Sequence, residues 1–189
     1  MTSPSADLTA SWQEASLQCF HYYKTLADRA IAQSSDDALQ RAIDPNTNSI
    51  AVIVQHLAGN LESRWTDFLT ADGEKPGRDR DAEFTPRDAS REELLASWER
   101  GWGRFFDSLT ALTAEDFGRT VAIRGESHSV PLAIQRSLTH VAYHVGQIVQ
   151  LARHWAGSDW TTLTIPRGGS TAHNAAVWGT DDYARRTEG

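Results

Sequence analysis

His140-Val-Ala-Tyr-His144 sets two histidines at i and i+4. On a helix such residues share one face, one turn apart. Both imidazoles can then reach one ion, with nitrogens about 2.0–2.1 Å from it in the case of zinc. Ordinary polar or core histidines show the same spacing, so the pair alone leaves both readings open. His56 adds to it. It stands in Ile50-Ala-Val-Ile-Val-Gln-His56-Leu-Ala-Gly-Asn60, among apolar Val52, Ile53, Leu57 and Ala58, at or beside an inward stripe. A buried histidine requires a partner for each ring nitrogen. An ion shared with the i, i+4 pair of another helix is such a partner. Three histidine ligands with positions open to water or substrate form the pattern of a catalytic metal site.

Other side chains share these faces. Asn60 and Ser63 follow His56 by four and seven residues, Arg136 precedes His140 by four, and Gln147 follows His144 by three. Each can support a ligand, orient a substrate or bond between helices. Asn60, Arg136 and Gln147 are the candidate catalytic or substrate-contacting residues. Arg64, beside Trp65, can clamp an anionic substrate or pair with an acid, and pairing is the favoured reading. His21 reads as packing, His128 belongs to a hairpin, and His173 lies in the tail. His154, ten residues beyond His144, is too distant for the same ion. No residue is an obvious general base, so a metal-bound group would supply the nucleophile.

Four helical stretches must position these residues, at approximately 8–33, 49–70, 90–112 and 131–156. In the first, Trp12, Ala15, Cys19, Tyr22, Tyr23 and Leu26 recur at steps of three and four and predict the buried face, with Cys19 as an inert core thiol. Asn48 or Ser49 caps the second, which ends at Asp72-Gly73. Gly73–Asp88 carries Pro76, Gly77, Pro86 and the run Arg78-Asp79-Arg80-Asp81. It reads as a surface connection, long enough to cross the molecule so that the third helix runs parallel to the second. The third starts after Ser90 with Glu92 and Glu93 in its first turn. Trp98 and Trp102 on it form a core stripe. Thr120–Val130 reads as a β-hairpin turning at Gly125-Glu126-Ser127, and Pro131 suits the start of the fourth helix. A tail, 157–189, follows. The whole, 1–189, reads as a single all-α domain, a four-helix bundle with a minor β-hairpin before its last helix.

Lys and Arg total 18 against 25 Asp and Glu, a formal net charge of −7. This balance argues against a general nucleic-acid binder. No stretch has the roughly 20 apolar residues of a membrane span. Met1–Ala10 lacks the basic and apolar regions of a signal peptide. With one cysteine and no export signal, the expected compartment is the cytoplasm.

A histidine on the second helix, a long crossover and HxxxH on the fourth together resemble the DinB-like superfamily of metal-binding four-helix bundles, the damage-inducible and YfiT-like proteins. The stretches from His56 to Pro76, from His140 to Gln150 and Ile165-Pro-Arg-Gly-Gly-Ser170 are similar to one uncharacterised bacterial branch of it. The resemblance implies an up-down-down-up bundle with His56, His140 and His144 as ligands. It also implies nickel or zinc, in some members iron or manganese, and a homodimer. Some relatives are thiol-dependent transferases or isomerases that use bacillithiol, mycothiol or glutathione. The leading expectation is therefore a metal-dependent enzyme moving a low-molecular-weight thiol onto a small electrophile. The alternatives are metal-assisted hydrolysis and a non-catalytic, stress-related metal-binding protein.

Overall fold

The computed structural model describes residues 4–178. Among these it is mostly helical: α1 (Pro4–Ala32), α2 (Asp36–Gln40), α3 (Ile50–Trp65), α4 (Arg91–Thr110), α5 (Val130–Ala156) and α6 (Ser170–Trp178), with strands β1 (Thr120–Ile123) and β2 (Glu126–Ser129). The helices expected from periodicity correspond to α1, α3, α4 and α5. None is long and apolar enough to cross a membrane. The chain divides into two compact units, Met1–Ala156 and Gly157–Gly189. The histidine cluster belongs to the first.

Local chemistry fixes the starts of the helices. Ser49 accepts a hydrogen bond from the Val52 amide and opens α3. Ser90 and Glu93 close a reciprocal capping box at α4. Each such cap stabilises by about 1 kcal/mol. Helix α3 is buried on nearly every side, from Ile50 through Leu61 to Trp65, as befits a helix apolar all round.

Its closest neighbour is α4. A Cβ on Gly101 would lie 2.7 Å from the Ala58 carbonyl oxygen, so only glycine permits this approach of the two backbones. Trp65 meets Phe105 edge-on at 4.6 Å. Helix α1 meets α4 through Phe20 on Phe105 (4.2 Å) and His21 stacked on Phe106 (4.0 Å). Lys24 bridges to Glu99 (2.8 Å), and Trp98 Nε1 donates to Asp28 (2.8 Å). Trp98 and Trp102 are fully buried, as their spacing predicts, whereas His21 stacks on Phe106 but stays exposed. Helix α5 lies against α1 and α3, burying Val130, Ile134, Ser137, Val141, His144, Ile148 and Ala152.

Several expectations are corrected. Cys19 is exposed, as are Ala15 and Tyr22. The buried stripe of α1 is Ser16, Phe20, Ala27, Ala30 and Ile31. Helix α1 carries apolar residues on two adjacent stripes, and its neighbours, not its own periodicity, select one. Helix α3 ends at Trp65, not near residue 70. Thr66 is extended, Thr66 Oγ1 donates to the Glu62 carbonyl, and Asp67 takes a left-handed φ of 51°. The hairpin turns at Arg124-Gly125, with φ of 55° and 75°, and Ile123 faces Glu126. Two positive φ values make the tight turn whose twist matches that of the strands. Two short helices, α2 and α6, occupy stretches without a predicted element.

Candidate metal centre

Helices α3 and α5 bring the three histidines together. His56 lies within the buried length of α3. His144 is on the buried stripe of α5, and His140 is one turn before it, half-buried. One ligand nitrogen from each lies within 4.8 Å of the others. His56 Nε2 and His140 Nε2 are 3.1 Å apart. His56 and His140 of the predicted trio thus meet across 84 residues of chain.

The hydrogen bonds around the cluster decide where its protons sit. His56 Nδ1 is 2.9 Å from Glu83 Oε2. Burial pushes the Glu83 carboxyl up, but the bonds from His56 and Arg78 outweigh it and hold the group below its ordinary value. Glu83 is therefore a carboxylate and only accepts, so His56 Nδ1 carries the proton and donates it. His144 Nδ1 likewise donates to Gln147 Oε1 at 2.8 Å, and Gln147 Nε2 donates to the Tyr143 hydroxyl. The Nε2 atoms of these two residues are left as the available ligands.

Burial first, then the neighbouring histidines and the guanidinium groups of Arg64 and Arg78, push His140 down to about 3. His144 is lowered too, by burial, against the opposing bond from Gln147. Between the facing nitrogens of His56 and His140 at most one proton fits. At least one of the two nitrogens therefore carries no proton and presents a lone pair to the other. The donor set fits a divalent cation: three imidazoles, His140 neutral at pH 7, with two tautomers fixed from outside.

The supporting side chains come from the connection between α3 and α4. Arg78 grips Glu83 with two bonds of 2.7 Å, Nε to Oε1 and Nη2 to Oε2. Both side chains are almost wholly buried. Gln55, beside His56 in sequence, donates to the carbonyls of Ala82, Glu83 and Thr85 and pins this stretch to α3. Phe84 stacks on the His56 ring at 4.3 Å. Gly59 leaves the room: a Cβ there would stand 2.6 Å from Glu83 Oε1. The segment expected to be a solvated connection is thus part of the site.

Beside the cluster lies a cavity of about 200 Å³ lined by His56, His140, Asn60, Ser137 and four arginines, Arg64, Arg80, Arg124 and Arg136. Asn60 and Arg136 therefore lie where the sequence puts them, near the ligands. Gln147 supports His144 rather than lining this cavity. Arg64 departs from the favoured reading: its Nη1 is buried without a hydrogen-bond partner. His128 is buried, donates from Nδ1 to the Glu126 carbonyl, and accepts from Arg136 at Nε2. His154 packs against Trp155, and His173 lies on α6 in the second unit.

Glu83, Arg78 and Gln55 are the residues that sequence reasoning missed. The available signals were a glycine inside an apolar helix and a glutamine beside the ligand. Among known proteins, the family described as "Protein of unknown function (DUF1572)" matches residues 7–169. No curated protein and no solved structure matches the chain.

Proposed function

The chain belongs to that family, DUF1572, whose description leaves the reaction open, and from the site we propose a metal-dependent enzyme that transfers a low-molecular-weight thiol to a small electrophile. His56, His140 and His144 hold one divalent transition ion, nickel or zinc first, iron or manganese next. The observation that carries this reading is the convergence of the three imidazoles, two of them with Nδ1–H committed outward to Glu83 and Gln147. Such outer partners fix the tautomer and raise the basicity of a ligating histidine. A bound divalent ion would supply Lewis acidity, lowering the pKa of a coordinated thiol or water.

The chain's own groups favour delivery of the nucleophile from outside. No Asp, Glu, Cys, Lys or Tyr is among the described residues lining the cavity. Glu83 is engaged by His56 and Arg78 and is not free to act as a base. Asn60 and Arg136 line the space where substrate would sit. Hydrolysis by water shares this arrangement, and dependence on added thiol separates the two.

We assign the first unit to the DinB-like architecture, an up-down-down-up four-helix bundle. The contacts support it. Residues 20, 24 and 28 of α1 meet 105, 99 and 98 of α4, an antiparallel order. Residues 58 and 65 of α3 meet 101 and 105 of α4, a parallel order. His56 and Trp65 meet His144 and Ser137 of α5 in antiparallel order. The same kinship supports a homodimer, which light scattering would test.

Metal analysis by mass spectrometry of the untagged protein tests the site. About one transition ion per chain, lost in His56→Ala and His140→Ala, is the expected result. A wild-type chain that neither carries nor takes up nickel, zinc or iron would overturn the proposal. Thiol-dependent loss of a model electrophile, absent from both variants, tests the chemistry.

A further inference from the structure

We infer that the cavity beside the histidines takes a small anionic substrate, whose carboxylate or phosphate group is held by Arg64 and Arg136. This rests on the metal-site reading for its place in catalysis, but on different residues for its evidence.

Four guanidinium groups line this one cavity, and no carboxylate does. Their partners do not offset the charge. Arg124 reaches Glu74 at 3.1 Å, but Arg78 also draws on that acid. Arg80 lies over the Phe84 ring, 5.4 Å from its centre. Arg136 donates to His128 Nε2, a ring nitrogen that accepts and brings no carboxylate to the guanidinium. Arg64 is the most buried of the four, and its Nη1 has no hydrogen-bond partner. Burial and the neighbouring arginines lower Arg64 only to about 10, so it remains a cation at neutral pH.

A buried donor without an acceptor is rare in native proteins, and an ion or ligand is one of the partners that would satisfy it. An arginine pair presents planar forks that match an oxyanion. The turn that carries Arg124 is itself fixed. Asp72 accepts the amides of Arg124 (2.8 Å) and Gly125 (2.7 Å), holding the non-glycine residue in its left-handed conformation. In a chain of net charge −7, a local cluster of cations gathers anions against the overall field. The size bounds the ligand. At about 200 Å³ the space is below the roughly 300–1,000 Å³ of pockets for drug-sized molecules.

Calorimetry on the zinc-loaded and the metal-free chain provides the test, with succinate and inorganic phosphate as probes and succinamide as the uncharged control. Succinate or phosphate should bind, and succinamide should not. Arg64→Gln and Arg136→Gln should each weaken binding about ten-fold or more, as loss of a charged hydrogen bond does. Arg64→Lys should fall between, since it keeps the charge but loses the fork. Arg104→Gln, on the exposed side of α4, should match the wild type. The tighter probe identifies the oxyanion. Equal binding of succinate and succinamide, no binding of either anion, or folded arginine variants that bind like the wild type would each overturn the inference. A chain that takes up zinc but no anion refutes this inference alone. A chain that binds anions but no metal refutes the metal reading alone.

Discussion

Glu83 decides how His56 presents itself to an ion. Glu83→Gln should leave the fold intact and weaken metal affinity by about 10- to 100-fold, the usual cost of losing a partner behind a ligand. Gly59→Ala is the sharper form of the same prediction. Within a helix, alanine should be favoured over glycine by about 1 kcal/mol. Here its Cβ would collide with Glu83 Oε1, so the expected result is weaker metal binding in a protein that still folds. A metal titration with a competing chelator measures both. The histidines were legible because HxxxH is local and the environment of His56 is apolar. Glu83 and Arg78 were not, because Arg78-Asp79-Arg80-Asp81 has the same composition whether solvated or folded inward. Only the structure shows that Arg78 turns in while Arg80 stays exposed.

The connection and the hairpin depend on one carboxylate. Asp72 accepts the amides of Glu74, Arg124 and Gly125. These bonds, the Glu74 amide first, lower its pKa from the ordinary 3.8. The unfolded chain therefore binds this proton more readily than the folded one. The stabilisation is complete above 3.8 and disappears as pH falls through the lower folded value. Asp72→Asn should reduce the thermal midpoint at pH 7, and its deficit against the wild type should shrink toward pH 3. Thermal melts across that range would show it; a deficit independent of pH would contradict it. The starts of α3 and α4 were legible from Ser49 and Ser90, whose capping chemistry lies within four residues. The end of α3 was not. The apolar pattern continues through Phe68 and Leu69, while Thr66 and Asp67 leave the helix.

At the scale of the molecule, four helices and a long connection were legible from period and punctuation. The face that α1 buries was not, because a helix with two apolar stripes fits a core either way. With three candidate ligands on two helices, a bound ion would also tie α3 to α5. Removing it with a chelator should lower the thermal midpoint. The difference should grow with free ion concentration, reaching about 2.7 kcal/mol at one hundred times Kd. A midpoint indifferent to zinc or nickel would show that the cluster takes no ion.

The anchoring of the connection by Gln55 and Arg78 also sets a rule for tolerated changes of chain length. Between Arg78 and Thr85 the chain is held in register with α3 through Glu83 against His56 and three carbonyls against Gln55, with Arg78 clamping Glu83. One inserted or deleted residue there would carry the carboxylate out of reach. Beyond Thr85 the chain has to reach Ala89, whose carbonyl accepts from Gln40, and the Ser90 cap, and lengthening a loop costs little, about 0.6 kcal/mol per doubling. The segment is thus a graduated ruler joined to a slack cord. Natural or designed variation in its length belongs after Thr85.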